Sequence, residues 1–208
     1  MKNATEKYIK TVSYMSTLFD YCNTNLFNGE LDKPVITVQQ DSRNKTCGWF
    51  TVKKVWHERG ENGEHAYELN MTAQELNRSI NEIAATLIHE MCHLYAAQNN
   101  IQDTSRSCTY HNKMFKKIAE SHGLTVECVR TIGWSKTSLT SDTKSLIDSF
   151  VKDFPDELIY RSAVEKGQTV KISSTRKYKC PCCGNSVRAT KEVRIMCVDC
   201  DALMVEDY

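Results

Sequence analysis

The sequence predicts an α+β fold in three parts: a domain over residues 1–135, a connector with a short helix over 136–170, and a small cysteine-rich module over 171–208. Three observations predict it. Apolar residues recur at helical spacing in two long segments. Short β-like runs lie between those segments. Beyond Val170 the composition turns basic and rich in cysteine.

The first helix is expected over Glu6–Phe27, where Tyr8, Ile9, Val12, Met15, Leu18, Phe19, Cys22 and Leu26 keep a 3.6-residue period. Asn28-Gly29 stops it. Val35–Val38, Cys47–Val52, a segment around Trp56, and Ala66–Met71 read as strands, with a turn at Gly60-Glu61-Asn62-Gly63. A second helix begins after Ser79, whose partner three residues on, Glu82, completes a capping box, and it runs to about Gln98. Asn99–Thr109 is polar and reads as a loop. His111 opens a third helix that ends near Ser121, before Gly123. Trp134–Thr143 is rich in Ser and Thr and reads as a linker. Leu146–Phe154 is a short helix stopped by Pro155.

A chain of 208 residues with 40% hydrophobic and 25% charged residues belongs to the globular class, not the disordered one. No apolar run approaches the roughly 18 residues a membrane-spanning helix needs. The N-terminus lacks the apolar core of a signal peptide, so a cytoplasmic, membrane-free protein is expected. The net charge of +1 gives no global attraction to anionic partners. Ten cysteines are the outlier, and in a reducing compartment clustered cysteines point to metal ligation. The scattered Cys22, Cys47, Cys92, Cys108 and Cys128 are expected to be small buried hydrophobes.

His89-Glu90-Met91-Cys92-His93 is an H-E-x-x-H pattern on the second helix. Residues four apart share a helix face, so two imidazoles can bind one metal ion. The intervening Glu90 can accept a proton from a water that the metal activates. Ile80, Ile83, Leu87, Met91 and Leu94 form the core stripe, with His89 and His93 on the far side and Cys92 packed away from them. Catalysis requires a third ligand. Ala96 and Asn99 break the longer metzincin pattern. His111, His122, Glu120 and Glu127 remain, and His111 is preferred because the preceding loop can fold its helix back over the first. His57 and His65 flank a turn and are expected to face solvent. Tyr110 and Arg106 are expected to pack within their loop. The strand at Ala66–Asn70 is the candidate edge for an extended substrate.

Ala85-Thr86-Leu87-Ile88-His89-Glu90-Met91-Cys92-His93, a polar insert, and His111-Asn112-Lys113-Met114-Phe115 together resemble the SprT/Spartan zinc metallopeptidases. Phe27-Asn28-Gly29-Glu30-Leu31 followed by a β run, and the C-terminal cysteine module, are similar to that family too. The resemblance covers roughly residues 10–135 and 176–204, and departs at Asn112, where Gly often follows the third histidine. It implies a zincin-like fold, a catalytic zinc at His89, His93 and His111, Glu90 as general base, and a protein or peptide substrate. Eukaryotic relatives cleave proteins crosslinked to DNA.

Cys180 and Cys183, then Cys197 and Cys200, form two C-x-x-C pairs separated by thirteen residues. Two such knuckles close a tetrahedral structural zinc site, which makes the expected complement two ions. Cys182 is the extra thiol. From Lys171 to Arg194 there are seven bases, Lys171, Arg176, Lys177, Lys179, Arg188, Lys191 and Arg194, against one acid, Glu192. Residues 1–135 carry equal numbers of each sign. A basic zinc ribbon suggests weakly sequence-specific contact with DNA phosphates, single- or double-stranded. The leading expectation is a zinc endopeptidase, a monomer, acting on DNA-associated proteins. The competing one is a nucleic-acid-binding accessory protein whose histidine site is structural or regulatory.

Overall fold

The computed structural model describes residues 3–41, 46–60, 63–156, 158–162 and 175–207. Glu61 and Asn62 of the expected turn, residues 157 and 163–170 of the expected connector, and Lys171 lie outside the described residues. The chain forms two compact units, Met1–Ala163 and Val164–Tyr208.

The first unit begins with α1 (Ala4–Leu26), which buries Met15, Leu18, Phe19 and Cys22, the predicted stripe. It ends where the Gly29 amide donates to the Asn23 carbonyl. Five strands follow: β1 (Val35–Gln39), β2 (Gly48–Phe50), β3 (Trp56–His57), β4 (His65–Ala66) and β5 (Glu68–Thr72). They build a mixed sheet in the order β1-β5-β2, with β1 parallel and β2 antiparallel to β5, and β3 pairs with β4 as a separate ribbon. β5 is central, and all five of its residues are buried. The expected substrate edge at Ala66–Asn70 is therefore corrected. Glu68–Asn70 is hydrogen-bonded on both sides, and an edge of this sheet belongs to β2.

A 3₁₀ turn (Ala73–Asn77) leads into α2 (Ile80–Gln98). The capping box is present: Ser79 Oγ accepts from the Glu82 amide, and the Glu82 carboxylate accepts from the Ser79 amide. Ile83, Leu87, Met91 and Leu94 are buried as predicted, and so are Ala84, Ile88 and Cys92. This helix is clad on more than one side, because α1, the sheet and later elements all pack on it.

The region after α2 differs most from expectation. β6 (Thr104–Ser105), β7 (Tyr110–His111), α3 (Lys113–Ser121), β8 (Leu124–Val129) and β9 (Gly133–Leu139) follow. The strands form a second sheet ordered β6-β7-β9-β8. His111 thus ends a strand and does not open a helix; Asn112 caps α3 instead, its Oδ1 accepting from the Met114 and Phe115 amides. The Ser/Thr-rich segment 134–143 is no linker. Ser135, Thr137 and Leu139 alternate toward the interior of β9, and Thr140 caps α4 (Ser141–Asp153) by accepting from the Thr143 amide. Those residues are hydroxylic because caps and strands use them well.

α4 belongs to the core. Ile147 and Phe150 are fully buried, and Tyr14 and Tyr21 pack on the Phe150 ring at 5.5 and 5.0 Å. The chain then crosses back over the unit. The Ile159 amide donates to Thr11 Oγ1 and the Arg161 amide to the Ala73 carbonyl.

The second unit is small. β10 (Arg176–Lys179), β11 (Ser186–Ala189) and β14 (Val205–Glu206) form one sheet, and β12 (Met196–Cys197) pairs with β13 (Ala202–Leu203). Its buried apolar residues are Tyr178, Cys180, Cys197 and Met204. So small a core leaves a metal ion to supply much of the folding energy.

Because α4 is core, cutting the chain after Thr140 unfolds the first unit, whereas cutting after Ser162 leaves it folded. Phe150→Ala alone costs about 3–5 kcal/mol. Thermal unfolding followed by circular dichroism checks all three.

Candidate metal centre and active cleft

His89 and His93 project from one face of α2, and His111 arrives from β7. Their ligand atoms lie within 4.8 Å of one another. His111 Nε2 is 3.1 Å from both His89 Nε2 and His93 Nε2. The outer nitrogens settle what those contacts are. His93 Nδ1–H donates to Asp103 Oδ2 at 2.5 Å, since a carboxylate only accepts. His111 Nδ1–H donates to the Ile132 carbonyl at 3.3 Å. His89 Nδ1 lies 3.1 Å from Thr137 Oγ1. In the neutral rings of His93 and His111 the proton is therefore on Nδ1, and both Nε2 atoms are bare lone pairs facing each other. They cannot hydrogen-bond. Tetrahedral zinc, with Zn–N of about 2.0–2.1 Å, sets its nitrogens about 3.3 Å apart. The donor set and its spacing fit a zinc ion.

Phe115, fully buried on α3, supports all three rings, with centroids 4.6–4.7 Å away. Asn112 fixes α3, and its amide donates to the Asp103 carbonyl, so one residue ties the third histidine to the loop that orients the second. Gly133 is in register with His111. A Cβ there would lie 2.1 Å from the His111 carbonyl oxygen, so no other residue lets β9 pass this close.

Glu90 is buried between the ligands. Burial pushes its carboxyl up to about 7; Asp103 adds to the rise and His93 opposes it. Burial holds His89 well below the usual histidine range and, with the neighbouring His93 ring adding to the fall, holds His111 down to about 4. Both rings therefore stay neutral and able to bind metal over a wide pH range. The site opens into a cleft of about 540 Å³, walled by β2, Arg78, Thr86, the β6–β7 hairpin and residues 135–137. Gly48 brings β2 against the site; a Cβ there would lie 2.9 Å from the Asn70 carbonyl oxygen and 3.4 Å from Glu90 Cγ. A larger cavity of about 740 Å³ lies at the β3–β4 ribbon. There the exposed His57 and His65 face each other at 4.3 Å, but no third metal-ligating side chain joins them among the described residues.

The rejected third ligands have other partners. His122 stacks on Phe27 at 4.2 Å, Glu120 pairs with Lys116, and Glu127 pairs with Lys136. Arg106 sits over the Tyr110 ring at 4.7 Å, a contact within the loop. Cys22 and Cys92 are buried as expected, but Cys47, Cys108 and Cys128 are exposed, and the first two line the cleft. They sit on strand ends and hairpins with no core beneath them. Asp103, Thr137 and Gly133 are the contributors that sequence reasoning missed, while Phe115 is the one already marked by the His111–Phe115 segment of the resemblance. The one usable signal was an acidic residue in the loop between the second and third histidines.

In the second unit Cys180, Cys183, Cys197 and Cys200 converge within 4.8 Å, and Cys182 stays outside. Cys183 and Cys197 sulfurs are 3.7 Å apart. That is too far for a disulfide and close to the roughly 3.8 Å edge of a zinc–thiolate tetrahedron. Backbone amides of Cys183 and Cys182 pull the Cys180 thiol down to about 6. Of the seven basic residues, Arg176 pairs with Glu206 at 3.6 Å and Lys177 with Asp207 at 2.7 Å. Lys179, Arg188, Lys191 and Arg194 have no ion pair among the described residues. Lys177 and Arg188 are cross-strand partners, and Lys179 shares their face.

The molecule thus carries two candidate metal sites, three histidines in a cleft and four cysteines in a small second unit. A family model described as the SprT-like family matches residues 15–136, and the chain belongs to that family, a group of metallopeptidase type. No curated protein and no solved structure gives a match. No helix among the described residues is long and apolar enough to cross a membrane.

The buried carboxyl sets a pH signature in the metal-free protein. Folded Glu90 titrates near 7 and unfolded Glu near 4.5. The unfolded state therefore releases its proton first, and Glu90 lowers stability progressively from pH 4.5 to 7. Glu90→Gln raises the metal-free Tm at pH 7 and leaves it nearly unchanged at pH 4. His89 and His111 act oppositely: stability is lost as pH falls below 6.5, because only the unfolded state takes up those protons readily. Calorimetric scans of both proteins across pH 4–8 check the sign.

Proposed function

We propose that the chain is a zinc-dependent endopeptidase of zincin-like architecture, with His89, His93 and His111 as metal ligands and Glu90 as general base. The observation that carries this reading is the convergence of Nε2 lone pairs beside a buried carboxyl group that titrates near neutral pH. Zinc bound there supplies a Lewis acid, polarising a carbonyl and making water acidic enough to lose its proton near pH 7. The chain's own residues do the rest. Asp103, Thr137 and the Ile132 carbonyl lock the rings. Glu90 takes the proton of the attacking water and passes it to the leaving amine.

The substrate is an extended segment of an unfolded protein that pairs with β2. The Cys47 carbonyl and the Thr51 amide both bond β5. In an antiparallel ladder the neighbours Gly48 and Phe50 then turn their peptide groups outward, free to bond a substrate main chain. Recognition of backbone in mid-chain suits an endopeptidase.

The four thiolates hold a second, structural zinc with no open position. We assign DNA-phosphate contact to Lys179, Arg188, Lys191 and Arg194, which would bring the enzyme to DNA-associated proteins. Arg176 and Lys177 contribute less, being held by the acidic tail. Lys171 remains a candidate on its charge alone.

Zinc-loaded, reduced protein is expected to hold two equivalents by metal analysis. His111→Ala loses one and Cys197→Ser the other. Glu90→Gln keeps both but loses hydrolysis of an unfolded protein by at least about 10²-fold; equal hydrolysis by Glu90→Gln and wild type would reject Glu90 as the base, and no hydrolysis by zinc-loaded wild type would reject the peptidase reading in favour of an accessory role. For the ribbon, replacing Lys179 and Arg188 with alanine weakens DNA binding and flattens its salt dependence by about 0.9 per lost duplex phosphate contact. Lys177→Ala changes either little. Binding isotherms at a series of salt concentrations measure both.

A further inference from the structure

β9 runs past the histidine cluster with alternate side chains turned toward it. Gly133 is in register with His111, and Thr137 Oγ1 touches His89 Nδ1. The pairing with β8 shifts register between Gly133 and Lys136; beyond that shift Ser135 stands two residues before Thr137 and faces the same way. It lines the cleft that also holds His89, Glu90, His93 and His111. Its Oγ is buried without a hydrogen-bond partner. Of the partnerless buried polar atoms among the described residues, it is the one in this cleft.

Its neighbours are committed elsewhere. Thr137 attends His89, and Lys136 turns out of the strand to Glu127 at 2.8 Å. Thr86, on the opposite wall, donates to the Glu82 carbonyl and accepts from Arg78. An orphaned hydroxyl is destabilising, and a fold does not need it to close this strand. Since it holds no bond, a χ1 step between staggered wells carries Oγ into the cleft with no bond broken.

Peptide hydrolysis has a use for such a donor. As the water oxygen bonds the carbonyl carbon, the carbonyl oxygen becomes negatively charged. Glu90 is committed to the proton that it takes from the water and hands to the amine, and the Nδ1–H groups of His93 and His111 point away to Asp103 and Ile132. We propose that Ser135 is a catalytic residue whose Oγ–H donates a hydrogen bond to the scissile carbonyl oxygen as that charge develops. This rests on the peptidase reading above. Ser135 transfers no proton: the C–N bond breaks as Glu90 delivers the water's proton to the amine nitrogen.

The test compares full-length, zinc-loaded wild type with Ser135→Ala and Ser135→Thr. Four quantities are measured: zinc content, kinetics on a labelled unfolded protein, affinity for a short phosphinic peptide that mimics the tetrahedral state, and the metal-free Tm. The expected result for Ser135→Ala is unchanged zinc, kcat lower by roughly 10²-fold, KM within twofold, and weaker phosphinate binding. Its metal-free Tm stays the same or rises, because an unpaired hydroxyl has been removed. Ser135→Thr retains most of kcat. Wild-type rates in Ser135→Ala overturn the assignment and leave the peptidase reading standing. Loss of zinc or a lower Tm makes Ser135 a structural residue and also overturns it. If zinc-loaded wild type hydrolyses nothing, the peptidase reading fails and the assignment falls with it.

Discussion

Two imidazoles whose Nδ1–H groups are given to oxygen acceptors cannot hydrogen-bond through Nε2. In this protein the Nε2 atoms of His93 and His111 nevertheless meet at 3.1 Å, with His89 Nε2 equally near His111. Lone pairs held that close repel unless a cation lies among them. Most of what surrounds them keeps them there. Asp103 and the Ile132 carbonyl set the tautomers, Phe115 sits against all three rings, and Gly133 removes the one side chain that would push β9 away from His111. The burial that keeps His89 and His111 neutral also raises the Glu90 carboxyl toward 7. Burial thus produces both a candidate metal site and, beside it, a carboxyl group that titrates near neutral pH.

That site needs rigid supports, and they come from distant parts of the chain. α2 supplies His89, His93 and Glu90 while burying most of its circumference in the core. The second sheet carries His111, together with Gly133 and Thr137, which lie against the rings. α4 closes the core behind α1 through Phe150. On the other wall, Gly48 lets the edge strand β2 lie against Glu90. The second unit has a different physics: apart from the clustered cysteines its buried apolar residues are Tyr178 and Met204, too few to fold it, and the four converging sulfurs offer a metal site suited to that role.

Local signals in the sequence were reliable where one short pattern determines the outcome. The Ser79–Glu82 capping box, the stripes of α1 and α2, the i,i+4 histidine pair and the two C-x-x-C knuckles all depend on residues within a few positions of one another. His111 does lie beside the pair, but on a strand and not at the start of a helix. Its strand is stabilised by pairing with Gly133, 22 residues later, and a two-residue strand has no periodicity to read. Residues 134–143 were misjudged because Ser and Thr serve loops, strands and caps alike, and only the burial of Ile147 and Phe150 decides among them. Asp103 gives only a faint signal for the same reason: a lone carboxylate in a polar loop gains meaning from His93, ten residues away and folded back onto it. The substrate edge was misplaced because strand order is a long-range property, and β2 reaches the cleft through its antiparallel pairing with β5.

The central claim is that three histidine nitrogens and four cysteine sulfurs hold two zinc ions of different chemistry. Zinc K-edge X-ray absorption reads this directly, on the reduced full-length protein and on Cys197→Ser. The intact protein should give two shells, nitrogen or oxygen near about 2.0 Å and sulfur near about 2.3 Å. Cys197→Ser should retain the first shell and lose the second. A spectrum with sulfur alone in the intact protein, or no zinc left in Cys197→Ser, would contradict the account, because the histidine cluster would then have no ion to resolve its facing lone pairs.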